Sequence, residues 1–139
     1  MLTYRFKKRE IEDGFYVCKP NIIVEIEGFQ FFPILDSGCD VTVISESLAD
    51  AFNVKKGEKT ELMAFRETCT VYRGKLNLRF ISRNQRFDEV IQVPCLIVPK
   101  EKAFEEDAEL VIGVAGVFEQ FKVTFDLPKK KITMERTRK

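Results

Sequence analysis

The segment Phe32-Pro33-Ile34-Leu35-Asp36-Ser37-Gly38-Cys39-Asp40-Val41-Thr42-Val43-Ile44 sets one acid between two apolar, β-prone runs. Such runs read as strands that need burial, so the chain must turn at Asp36-Ser37-Gly38 and cover both flanks. A carboxylate at the end of a buried strand is costly unless hydrogen bonds or a partner charge compensate it. Gly38 allows a sharp turn and close approach by another backbone. Asp36 is therefore either a turn residue bonded to its own downstream amides or a group held there for chemistry.

Elsewhere the chain reads as short strands between turn signals. Tyr4 and Phe6 begin an alternation that fades in the charged stretch 7–13, and 15–17 is a short strand. Ile22, Val24 and Ile26 share one strand face, Gly28 marks a turn, and 30–35 runs back into Asp36, so 22–35 is expected to be a hairpin. After the strand 41–44, Ser45 caps a short helix over 46–52. Residues 61–65 and 69–72 form the arms of a second hairpin with a polar tip at 66–68. Leu76, Leu78 and Phe80 alternate with polar neighbours, and 90–98 is a long apolar strand. The charged stretch 100–107 reads as a loop, 109–113 as a buried strand and 114–120 as a second short helix. Strands at 123–125 and 132–134 close the chain. With no repeat and no linker, 1–139 is expected to be one mostly-β domain with two short helices.

Composition narrows the chemistry. The chain has 139 residues, 45% of them hydrophobic, enough for a core. Its 23 basic and 22 acidic residues sum to +1, which removes the electrostatic case for a nucleic-acid partner. No apolar run approaches the roughly 18 residues of a membrane span. Cys18, Cys39, Cys69 and Cys95 include no CxxC pair, and the charged residues 1–13 lack a signal-peptide core, so a reduced cytoplasmic protein is expected. The absence of histidine excludes Ser-His and Cys-His nucleophile pairs and histidine metal ligands within the chain. No phosphate-binding glycine loop is present either. Chemistry without a cofactor must then rest on carboxylates, lysines, tyrosines or thiols, and neither a metal nor an organic cofactor is expected.

Three segments resemble the retropepsin-like aspartic proteases, in the family's order. Leu35-Asp36-Ser37-Gly38-Cys39-Asp40 resembles the active-site loop, Leu110-Val111-Ile112-Gly113 the later apolar strand and glycine, and the segments 123–126 and 131–133 the closing hairpin of cellular members. The hairpin near Arg66 stands where the family places its flap. The resemblance spans about 22–134 and implies a retropepsin-like β-barrel with one active-site loop per chain. Two departures set the chain apart from the retroviral branch: Val114 replaces a bracing arginine, and the flap tip is not glycine-rich. Ala115 also stands where many members carry a polar residue.

What the resemblance implies is an aspartic endopeptidase. Peptide hydrolysis by this route needs two carboxylates sharing a proton, one accepting from water and one donating to the scissile carbonyl. One Asp36 per chain therefore implies a two-fold homodimer acting on a peptide or protein. By resemblance, Ser37 bonds across the dimer, Gly38 admits water and substrate backbone, and Asp40 positions substrate amides. Cys39 lies beside the substrate as a small filler rather than a nucleophile. Phe65, Arg66, Glu67 and Thr68 close over the peptide. The Phe-rich content is mostly core, with Phe31, Phe32 and Phe65 as candidates for substrate pockets, and Asp126 is structural. The competing expectation is a catalytically inactive dimeric domain that binds peptides or serves as a scaffold.

Overall fold

The computed structural model describes residues 1–64, 67–83, 89–99 and 109–137. In chain order the strands are β1 (Leu2–Arg5), β2 (Lys7–Glu12), β3 (Phe15–Lys19), β4 (Val24–Ile26), β5 (Phe29–Phe31), β6 (Ile34–Leu35) and β7 (Thr42–Ser45). Helix α1 (Glu46–Ala51) follows. The remaining strands are β8 (Lys59–Ala64), β9 (Glu67–Phe80), β10 (Ile91–Val98), β11 (Leu110–Ile112), β12 (Phe121–Asp126) and β13 (Lys131–Arg136). The architecture is mostly β. A large sheet runs β5-β4-β9-β10-β7-β11-β6, with β8 also on β9, and curls into a half-barrel. Smaller sheets are β1-β13-β12 and the arm β2-β3.

Period-two alternation builds the core. Ile91, Val93, Cys95 and Ile97 of β10 turn inward, as do Leu76, Leu78 and Phe80 of β9 and Val24 and Ile26 of β4. They join Leu2, Tyr4, Ile132 and Met134 from the smaller sheet in one cluster. Ser45 caps α1 as expected, its hydroxyl accepting from the Leu48 N–H at 3.2 Å.

Local pattern misleads in four places. The charged stretch 7–13 is not irregular: β2 is fully exposed but pairs with β3 through the Asp13-Gly14 turn, where Gly14 has φ +78°. Ladder bonds and the contact of Lys8 with the Tyr16 ring hold this arm without a buried apolar face. The second arm of the 22–35 hairpin splits at Pro33, which lacks the N–H a continuous ladder needs; β5 pairs with β4, and β6 leaves to pair with β11. The arm 69–72 and the alternation at Leu76, Leu78 and Phe80, read as separate segments, are one strand, β9, with Gly74 inside it opposite Cys95, where a side chain would meet Ile97 Cδ1 at 3.1 Å. Finally, the expected second helix over 114–120 is a succession of turns. Gly116 sits at φ +80°, outside the helical region, and interrupts any helical run. Among the described residues α1 is the one helix, and none is long and apolar enough to cross a membrane.

All four cysteines are free thiols. Cys95 is buried in β10, and burial pushes its thiol up to about 11 from the model-compound value of 9.0. The sign follows from proton binding. Between pH 9 and 11 the unfolded chain loses this proton while the folded chain keeps it, so stability falls as pH rises. The full effect approaches about 3 kcal/mol at about 1.4 kcal/mol per pH unit. Urea midpoints at pH 8 and pH 10.5 are expected to converge for Cys95→Ala relative to the wild type. Burial raises Tyr4 as well, so a residual fall persists in the variant.

Candidate active site

The acid loop owes its shape to the strand inserted beneath it. Strands β6 and β7 flank the loop 36–41 in sequence, yet β11 lies between them in the sheet, parallel to β6 and antiparallel to β7. Because β6 and β11 run in the same direction, their C-terminal ends emerge together. The loop must then arch across the exit of β11 to reach β7.

That crossing is stitched by backbone hydrogen bonds. The Asp36 N–H donates to the Ile112 carbonyl at 2.8 Å, Val114 N–H to the Cys39 carbonyl at 2.9 Å, and Ala115 N–H to the Asp40 carbonyl at 2.9 Å. Within the loop, Cys39 N–H donates to the Asp36 carbonyl at 3.2 Å. Gly113 lies where the two segments cross. A Cβ there would fall 2.5 Å from the Val41 carbonyl carbon and 2.8 Å from the Cys39 oxygen. Within the chain, the tight backbone crossing is at Gly113. A Cβ on Gly38 would meet only Asp36 Oδ1, at 3.3 Å.

Asp36 is exposed at the end of β6 rather than buried. Its Oδ1 accepts from the Gly38 N–H at 2.9 Å, which orients the carboxyl group. Ser37 and Asp40 are exposed, and neither side chain has a hydrogen-bond partner among the described residues. Cys39 is half-buried, its thiol donating to the Val41 carbonyl at 3.0 Å. Burial, chiefly, raises its pKa, and the charges of Asp36 and Asp40 push the same way. The thiol is therefore held protonated, as a filler requires.

The structure brings 36–40 together as a unit. Strands β8 and β9 form the second hairpin, paired from Lys59↔Tyr72 to Ala64↔Glu67. Phe65 and Arg66, at its tip, lie outside the described residues. Glu67 is placed only as the first residue of β9, and Thr68 is exposed opposite Met63. Phe31 is half-buried with its ring centroid 5.7 Å from that of Phe52, whereas Phe32 is exposed. Among the described residues no cluster of three acids or cysteines could hold a metal.

Thr42 escaped the sequence reading. It is fully buried, and its Oγ1 accepts from the Gly113 N–H at 3.1 Å, tying β7 to the glycine under the loop. The available signal was a hydroxyl residue inside an otherwise Val/Ile run. Thr42→Val keeps the shape but strands a buried N–H, so a loss of about 1–3 kcal/mol is expected in urea unfolding. No protein-family model matches the sequence, and no curated protein matches it.

Proposed function

We propose that the chain is a homodimeric, retropepsin-like aspartic endopeptidase. The observation that carries this reading is an exposed Asp36 on a loop held to β11 and the following turn by three backbone bonds. A carboxylate that must meet a second one needs this combination of rigid support and open access. In the dimer, Asp36 of each chain faces its equivalent across the two-fold axis. One carboxylate takes a proton from water as the water oxygen attacks the peptide carbonyl carbon. The other donates its proton to the carbonyl oxygen, giving a neutral tetrahedral diol, and proton return to the amide nitrogen releases the amine. Two acids at such range do not both ionise readily, so the pair shares one proton and activity is confined to a pH window. Ser37 links the two loops, and the β8–β9 hairpin covers an extended substrate.

A second reading has an observation in its favour. The Asp36–Gly38 hydrogen bond already uses one carboxylate oxygen within the loop, as a non-catalytic peptide-binding or scaffold domain would. Sedimentation at rising concentration, paired with cleavage of casein from acid to neutral pH, separates the two. The endopeptidase reading expects dimers, with specific activity falling as dilution dissociates them. Dimers inert across the whole range favour the scaffold, and monomers at every concentration exclude both.

A further inference from the structure

One cleft near β6 has described lining residues whose charges are all of one sign. This cleft, of about 1370 Å³, opens between the β2–β3 arm, β1 and β6. Its described lining carries Arg5, Lys7, Lys8, Arg9, Lys19 and Arg83, and no Asp or Glu. Since the whole chain sums to +1, this is segregation of charge, not general basicity. Lys8 is partly engaged, its Nζ 4.1 Å from the Tyr16 ring centroid, and Arg9 has interactions of its own. The weight falls on Arg5, Lys7, Lys19 and Arg83.

The rest of the lining specifies the occupant further. Phe32 is 62% exposed at the cleft, and Ile34 sits beside it, paired with Val111. Ile34 precedes Asp36 by two residues, about 7 Å along a strand. Asn21 also lines the cleft; its Nδ2 donates to the Phe32 carbonyl at 2.8 Å, while its Oδ1 is buried with no partner. The volume exceeds the roughly 300–1,000 Å³ usual for small-molecule sites.

We infer that this cleft selects acidic peptide segments, with Asp and Glu side chains on the basic wall and an apolar residue on Phe32 and Ile34. As a statement about substrate, this rests on the endopeptidase reading; as a statement about binding, it stands apart from it.

Fluorescence anisotropy on the full-length Asp36→Asn chain tests the binding. The probes are a twelve-residue Glu/Asp-rich peptide with a central Phe, its Lys-substituted counterpart, and a twelve-nucleotide oligothymidylate. The acidic peptide is expected to bind at least 10-fold tighter than the lysine peptide, and to weaken between 50 and 300 mM NaCl as screening grows. Arg5→Glu with Arg83→Glu, both at exposed positions, is expected to reduce affinity at least 10-fold. The milder pair Lys7→Gln and Lys19→Gln provides a second measure if the reversal impairs folding. Equal binding of the two peptides, indifference to both variant pairs, or tighter binding of the oligothymidylate overturns the inference. The wild type then separates the two claims. An acidic peptide bound but never cleaved removes the endopeptidase reading and keeps the site. Cleavage of acidic and neutral peptides with equal kcat/KM removes the selectivity and keeps the endopeptidase.

Discussion

Asp36→Asn is expected to lower kcat/KM for peptide hydrolysis on the order of 10³-fold or more while leaving the fold intact. The amide has the shape of the acid, and its oxygen can still accept the Gly38 N–H that orients the side chain. What it loses is the proton that must move between water, carboxyl group and leaving amine. General acid–base catalysis by one group typically contributes about 10²–10⁴-fold, and here both members of the pair are replaced at once. The position is exposed, so stability should change by no more than about 0.5 kcal/mol. Kinetics on a quenched peptide, alongside thermal melting, give both numbers. Wild-type-like turnover in the variant would end the mechanism. Mixed dimers of wild-type and Asp36→Asn chains should be as inactive as the pure variant, because one carboxyl group cannot both donate and accept in the same step.

Gly113→Ala is expected to be the most destabilising single-methyl change at the site, by at least about 3 kcal/mol. The added carbon would stand 2.5 Å from the Val41 carbonyl carbon, 2.7 Å from its oxygen and 2.8 Å from the Cys39 oxygen. All three atoms are backbone, so no rotamer change relieves the clash, and overpacking of this kind sits at or above the usual range of about 1–3 kcal/mol. The loop would have to lift off β11, breaking the Asp36–Ile112 and Val114–Cys39 hydrogen bonds. Gly38→Ala is the internal comparison. Its nearest obstacle is a side-chain oxygen at 3.3 Å, which can shift by a few tenths of an ångström. Urea unfolding of the two variants should therefore differ by about 2 kcal/mol or more, using the same range. A Gly113→Ala protein within 0.5 kcal/mol of the wild type would mean that the loop does not cross β11 this closely.

These outcomes bear on how far the chain could be read from its residues. The alternation at Ile22, Val24 and Ile26, and again at Leu76, Leu78 and Phe80, predicts faces that are indeed buried. The Ser45 cap also stands where local chemistry puts it. Each depends on neighbours within a few positions, where side-chain period and turn preference act directly. The charged arm 7–12 and the turns at 114–120 went the other way. The first is held by cross-strand pairing that needs no apolar pattern, and in the second one glycine conformation overrode an apolar run that suited a helix.

The candidate site divides along the same line. Asp36, with its hydroxyl and glycine neighbours between two β-prone runs, was visible as a turn carrying an acid, because those features are contiguous. That β11 slides between β6 and β7, that Gly113 rather than Gly38 makes room for the crossing, and that Thr42 secures it were not visible. Those contacts join residues as far apart in sequence as Ile34 and Val111, and a one-dimensional pattern carries no information about which distant backbones must touch. The basic cleft is of the same kind: Arg5, Lys19 and Arg83, far apart in sequence, line one cavity, while in the linear chain their charges are diluted by 22 acids.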